Sequence, residues 1–165
     1  KSGSSAAQLA QPFDSVSLCL SKGLGAPAGS VLCGSKEFIK KAKRLRKMLG
    51  GGMRQAGVLA AAGIYALDNN IQRLQQDHDL ALYFAQQLNL IEQVNVDVDN
   101  VETNMLFVQF KDANSTDNQA SISEYLLKTG ICITQGELSR MVVHLDISRA
   151  DVDYTLEKIS AYYRQ

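Results

Sequence analysis

Ser17-Leu18-Cys19-Leu20-Ser21-Lys22-Gly23-Leu24-Gly25 ends an apolar run in a single lysine and follows it at once with glycines. A lysine amine is a nucleophile only when deprotonated, and partial burial or a second cation nearby moves it toward that state. A β-strand of alternating residues would carry Lys22 to its C-terminal edge, where ligands gather in α/β sheets. Gly23 and Gly25 supply backbone conformations that a residue with a Cβ resists. On this local pattern alone, a solvated surface lysine is the commoner outcome. A second constellation is Gly50-Gly51-Gly52-Met53-Arg54. Three glycines leading into a helix expose backbone N–H groups, and a guanidinium adds a planar bidentate donor, a combination suited to a phosphate. A plain helix end followed by a new helix accounts for the same residues. Arg140 is the third candidate. It is expected just before an apolar strand, where its neighbours alone describe a solvated strand-end charge.

Other signals point to less. Gly23-Leu24-Gly25-Ala26-Pro27-Ala28 fits a loose dinucleotide fingerprint, but Pro27 falls where a helix should open, which excludes a Rossmann site. His78 and His144 lack metal-ligand spacing, so no metal site is expected. His144, placed inside a strand, reads as a packing residue. The run Lys36 to Lys47 holds seven Lys or Arg residues, enough to raise a nucleic-acid-binding helix. Those charges spread around the helix without interleaved aromatics, so a solvated face is favoured and no nucleic-acid partner is expected. A non-catalytic nucleic-acid-binding module stays as the reading from a different class.

The chain has 165 residues, 17 Lys and Arg against 17 Asp and Glu, and a formal net charge of zero. It can bury a core as one domain or as two small ones, and it shows no pull toward nucleic acid or acidic membranes. No apolar run is long enough to span a bilayer, and Lys1 to Ala10 is small and polar, unlike a secretory signal. Cys19, Cys33 and Cys132 are widely spaced in apolar surroundings and are expected as reduced, buried thiols of a cytoplasmic protein. With Lys1 first, the chain is expected to be a fragment, a processed chain or the second of two pieces.

The elements that must position these residues follow from periodicity and punctuation. A short helix is expected around Ala6–Ala10, a strand over Asp14 to Leu20, and another at Val31-Leu32-Cys33. Ser35 caps a helix from Lys36 to Leu49 with Phe38, Ala42, Leu45 and Leu49 as its apolar stripe. After the glycines, a long helical pattern runs from about Arg54 to Leu88, interrupted near Asp68-Asn69-Asn70. Its alanine-rich first half, Ala56 to Leu67, is expected to be buried on most sides, and its second half presents Ile71, Leu74, His78 and Ala81 or Leu82 on one face. From Val94 onward short strands alternate with helices: a strand over Asn104 to Phe110, a helix over Asn118 to Lys128, and strands at Gly130 to Thr134 and Met141 to Leu145. A capping box at Ser148 and Asp151 opens the closing helix. Arg149, in its first turn, reads as structural. The organisation predicted is residues 1–55, linking helices 56–90, and a small α+β domain 91–165.

Ser21 to Ser30, Arg44 to Gln55, Asn104 to Val108 and Val142 to Arg149 together resemble, in order, segments of the low-specificity threonine aldolases, pyridoxal-phosphate (PLP) enzymes of the aspartate-aminotransferase-like group. The resemblance implies an α/β fold. Residues 1–55 would end a PLP-binding large domain, and 91–165 would be the small C-terminal domain. It implies that Lys22 forms a Schiff base with PLP and that Arg54 reaches the PLP phosphate, in the family that of a neighbouring subunit. Arg140 would hold the substrate carboxylate, a two-point contact that lysine makes poorly. Lys47 matches a family lysine near the substrate side and is a candidate substrate-binding residue. The activity implied is cleavage of threonine, allo-threonine and related β-hydroxy amino acids to glycine and an aldehyde. Within the enzyme class, the alternative is a β-eliminating lyase of the same group. The resemblance covers only the family's second half. The implied partners are therefore the missing N-terminal half, with its cofactor-stacking histidine and ring-nitrogen aspartate, and further copies in a homo-oligomer, a dimer of dimers. The chain alone is expected to be inactive.

Overall fold

The computed structural model describes residues 3–111, 121–134, 136 and 138–164. They divide into two compact units, Lys1–Arg73 and Leu74–Gln165.

The first unit begins with α1 (Ala6–Ala10), opened by a capping box at Ser5 and Gln8. Strands β1 (Ser15–Cys19) and β2 (Ser30–Gly34) form an antiparallel pair with Leu18 opposite Val31 and Val16 opposite Cys33. Ser35 then caps α2 (Lys36–Met48), its side chain accepting from the Phe38 N–H at 3.2 Å. Gly50, at φ +87°, ends that helix, because a left-handed residue costs glycine nothing sterically. Helix α3 (Gly57–Asn69) follows. Its apolar composition predicted burial on most sides. Instead only Gly63 and Ala66 are buried, and Val58, Ile64 and Tyr65 are exposed. A two-stranded sheet and short helices offer too little apolar surface to cover it. The stripe of α2 is likewise open, with Phe38, Leu45 and Leu49 exposed.

The predicted thiol burial is corrected here as well. Cys19, Cys33 and Cys132 are all exposed: Cys19 and Cys33 because every residue of β2 faces outward and β1 is covered only at its start, and Cys132, in the second unit, on a segment outside any strand. The apolar neighbours of Cys19 and Cys33 mark surface left open within the first unit, not a core.

The second unit opens with α4 (Leu74–Leu88) and builds an antiparallel sheet in the order β3–β4–β5, from β3 (Val94–Val96), β4 (Met105–Phe110) and β5 (Leu138–Val142). A short 3-10 turn (Val98–Asn100) links β3 to β4. Helices α5 (Ile122–Lys128) and α6 (Arg149–Tyr162) complete it. Strict alternation along β4 sends Leu106, Val108 and Phe110 into a core with Ala81, Phe84, Ala85 and Leu88 of α4 and Val152 and Ile159 of α6. The predicted start of the fifth helix, 118–120, lies outside the described residues.

Two strand expectations fail. Residues 130–134 form no strand, and the last strand lies at Leu138–Val142 instead of Met141 to Leu145. The alternation in β5 buries Ser139 and Met141 and turns Leu138, Arg140 and Val142 outward. The continuous apolar run therefore masked a period of two shared by a polar pair. His144 consequently lies beyond the strand and is exposed, its Nδ1 accepting from the Asp146 N–H at 3.3 Å. It is not a packing residue.

Candidate functional site

Lys22 lies three residues past the end of β1, on the turn joining the two strands, and is exposed. The turn itself is fixed. Leu20, Leu24 and Ala26 are buried on either side of the lysine. The Leu20 N–H donates to the Gly29 carbonyl at 3.0 Å, the Gly25 N–H to the Lys22 carbonyl at 2.8 Å, and the Ala26 N–H to the Leu20 carbonyl at 3.1 Å. Gly25 adopts φ +72°, a left-handed conformation the turn requires at that point. The amine thus projects from a short loop pinned by apolar side chains on both flanks.

Helix α3 supplies the floor of that loop. A Cβ at Gly63 would lie 3.0 Å from Leu20 Cδ1, so the helix approaches as closely as it does because position 63 has none. One turn on, Ala66 is buried, and at the helix end Asn70 donates its side-chain N–H to the Leu24 carbonyl at 2.7 Å. Gly63, Ala66 and Asn70 recur at helical spacing on one face. Sequence reasoning treated Asn69 and Asn70 only as an interruption. The spacing of small residues ending in an amide was the signal that could have identified this face.

The glycine turn after α2 is shaped by the two preceding cations. A Cβ at Gly51 would meet Arg46 Cγ at 2.6 Å and the Arg46 carbonyl oxygen at 2.9 Å, so no side chain fits there. At Gly52 the obstacle is the Lys47 ammonium, 2.8 Å from where a Cβ would stand. Lys47 therefore folds back over Gly52, two residues from Arg54. Arg54 is exposed in the turn before α3. The residue after it, Gln55, has φ +51°, an uncommon left-handed conformation for a residue with a Cβ. Sequence reasoning named Gln55 in the motif but gave it no role, since strain of this kind is invisible without a backbone.

Arg140 stands in the middle of β5, directly opposite Phe107, not before the strand as expected. It shares the open face of the sheet with Met105, Leu138 and Val142, all exposed. The Asn104 side chain donates to the Val143 carbonyl at 2.7 Å, and the Val143 N–H donates to the Asn104 carbonyl at 2.9 Å, so the two C-terminal motif blocks lock together where the β4–β5 ladder ends. Arg149 is structural, as expected. Its Nε donates to both carboxylate oxygens of Asp153 at 3.0 and 3.1 Å, and its guanidinium carbon lies 3.3 Å above the Tyr83 ring centroid.

Lys22, Lys47 and Arg54 thus belong to the first unit and Arg140 to the second. Among the described residues, none of these four side chains takes part in a hydrogen bond or ion pair. An open depression of about 860 Å³ in the second unit, lined in part by Tyr83, Asp153 and Glu157, holds none of them. No group of His, Cys, Asp and Glu among the described residues could hold a metal ion, and no helix among them is long and apolar enough to cross a membrane.

A lysine on a pinned turn and a glycine turn flanked by cations in the first unit, and an arginine on an open sheet face in the second, are the candidate features of this mixed α/β chain. The model of the beta-eliminating lyase family matches residues 1–111, and the chain belongs to that family. Among curated relatives, the low specificity L-threonine aldolase of Escherichia coli O157:H7 is 46% identical over 162 residues, covering 98% of this chain and 45% of the relative. The low-specificity L-threonine aldolase 1 of Arabidopsis thaliana is 47% identical over 151 residues, covering 90% and 42%. The chain therefore spans less than half the length of the curated relatives it matches. Among solved structures, a putative L-allo-threonine aldolase from Listeria monocytogenes superposes with a TM-score of 0.75 at 21% identity, covering 96% of this chain and 47% of that one. An SPT chain solved with PLP gives a TM-score of 0.66 at 18% identity, covering 92% and 40%. The fold is shared with PLP-dependent enzymes, in agreement with the α/β expectation.

Proposed function

We propose that this chain is the lysine-bearing second half of a PLP-dependent aldolase that cleaves threonine, allo-threonine and related β-hydroxy amino acids to glycine and an aldehyde. The observation that carries the proposal is the 46% identity, over 98% of the chain, to a low specificity L-threonine aldolase. The donor set fits the cofactor: a primary amine on an exposed turn suits its aldehyde carbon, and a glycine turn leading to Arg54 suits its phosphate. When bound, PLP supplies an electron sink for the bond broken at the substrate Cα.

The chain's own residues divide the remaining work. Lys22 would hold the cofactor through its amine, and the same amine could accept or return a proton. Arg54 holds the phosphate, in the assembled enzyme that of a neighbouring subunit. Arg140 holds the substrate carboxylate through its fork of donors. Lys47, held over Gly52, adds positive charge on the substrate side of the site. In this reading residues 1–55 end the cofactor-binding domain, 56–90 link, and 91–165 form the small substrate-side domain. The open apolar faces of α2 and α3 are covered by the N-terminal half of the same enzyme. The working form is a cytoplasmic homotetramer, a dimer of dimers, and this chain by itself is inactive.

Borohydride reduction of the full-length enzyme, followed by peptide mass mapping, tests the proposal. A pyridoxyl adduct on Lys22, with acetaldehyde and glycine released from threonine and both lost in Lys22→Ala, is the expected result. An adduct elsewhere, or threonine turnover by Lys22→Ala at the wild-type rate, overturns it. The description of the matching family as a beta-eliminating lyase favours one second reading, β-elimination. That reaction would release ammonia and a keto acid, so the same assay separates the two.

A further inference from the structure

We propose that Asn70 is the positioning residue of Lys22: its amide, at the end of α3, fixes the turn from which the reactive amine projects. This rests on the reading of Lys22 as the cofactor-attachment residue. The turn from Leu20 to Gly29 has two kinds of restraint. Its internal hydrogen bonds, Gly25 N–H to Lys22 carbonyl and Ala26 N–H to Leu20 carbonyl, fix its shape. They do not fix where the turn stands on the unit. That placement comes from α3, through two contacts that straddle Lys22 in sequence. On one side, Leu20 Cδ1 seats on the bare backbone of Gly63. On the other, the Leu24 carbonyl accepts from Asn70 at 2.7 Å, in a part-buried bond joining residues 46 apart.

The two contacts differ in kind. Leu20 on Gly63 is apolar and non-directional, so it allows the turn to slide. The Asn70 bond is directional, and the buried side chain of Leu24 beside it leaves its carbonyl little access to water. Asn70 is itself held, because its backbone N–H donates to the Ala66 carbonyl at 2.9 Å as the helix cap. The amide thus transmits the position of a 13-residue helix to a carbonyl two residues from the lysine. A reacting group displaced by about 1 Å loses on the order of a hundredfold in rate, so even partial release of this turn should be visible in turnover.

The test uses the full-length enzyme. Asn70→Asp keeps the shape but replaces the donor with an acceptor that repels the Leu24 carbonyl. The expected result is a fall in kcat per bound cofactor of roughly tenfold, with KM for threonine within about twofold, and a shifted pH dependence of the bound-cofactor absorbance. A residue that merely caps α3 would lower the melting temperature without moving any of these per-cofactor quantities. Wild-type kcat per cofactor and an unshifted pH profile in folded Asn70→Asp overturn the proposal. Should Asn70→Asp fail to fold, Gly63→Ala decides. It presses on Leu20 from the same helix, should give the same signature in smaller degree, and overturns the proposal if kcat per cofactor is unchanged. Lys22→Ala, measured in parallel, separates the two levels of argument. If it abolishes turnover while the Asn70 and Gly63 variants keep wild-type kcat per cofactor, only the positioning role fails. If it leaves turnover intact, the assignment of Lys22 fails first.

Discussion

The two units use similar apolar side chains to opposite ends. In the C-terminal unit, Leu88, Leu106, Leu126 and Ile159 are each below 2% exposed and meet in one core built from three helices and a sheet. In the N-terminal unit the buried apolar set is Leu20, Leu24, Ala26 and Ala66, while Leu18, Val31, Leu45, Val58 and Ile64 stand open. The first pattern is a self-sufficient core. In the second, the few buried residues are those that pin the Lys22 turn to α3, and the rest form open apolar surface. The unit that carries Lys22 is thus organised locally around its turn and leaves most of its apolar surface open.

Truncation of core side chains is the strongest way to break that contrast. Leu88→Ala in this chain should cost about 3 kcal/mol, through lost burial and the cavity left between α4 and the sheet. Val58→Ala, at a site 74% exposed, should cost less than about 0.5 kcal/mol. Urea unfolding followed by far-ultraviolet circular dichroism measures both, fitted as two transitions because the units need not unfold together. In the full-length enzyme, Val58→Ala should rise to roughly 2 kcal/mol if the N-terminal half covers that face. An unchanged cost there would mean α3 is open in the whole enzyme and would remove one support for the proposed assembly.

What could be read from the residue order follows the same division between local and distant causes. The caps at Ser35 and at Ser148 with Asp151 were legible because a hydroxyl and an N–H three residues on settle them within one turn. The turn after β1 and the glycine break after α2 were legible for a similar reason, since each is set by consecutive residues. Burial was not. Cys19 and Cys33 sit among apolar neighbours, yet whether such a strand is covered depends on chain far from it. Nor was the hold of Asn70 on Leu24, because no periodicity links residues 46 apart. Arg140 was placed before its strand because Met141 to Val143 are consecutively apolar, whereas pairing with β4 sets the true register.

A smaller effect is expected where the turns themselves store strain. Gln55 holds φ +51° beside Arg54, which costs a residue with a Cβ about 1–2 kcal/mol. Gln55→Gly removes that cost but adds back roughly 0.5–1 kcal/mol of chain entropy. The net expectation is a stabilisation of about 0.5 kcal/mol, read as a rise in urea midpoint for the N-terminal unit. Gln55→Val should move the midpoint the other way. Equal midpoints for all three would show that position 55 is relaxed.

The smallest effect belongs to the surface of the C-terminal unit, and it depends on pH. Asp153 accepts from the Tyr83 hydroxyl at 2.8 Å and from Arg149, and these bonds hold its carboxyl below the ordinary value of 3.8. Asp151 is lowered as well, by the side-chain and backbone donors of Ser148 in the capping box. A carboxyl whose folded value is depressed contributes stability that is present above 3.8 and is lost as the pH falls through its folded value. The C-terminal unit should therefore keep a constant urea midpoint from neutrality down to about pH 5, then weaken below pH 4. The decline stays modest because Asp153 is half exposed and its pairing with Arg149 is screened by water. In Asp151→Asn with Asp153→Asn the acid decline should flatten. An undiminished decline in that double variant would assign the acid sensitivity to other carboxylates, and the α4–α6 cluster would then be a neutral feature of the surface.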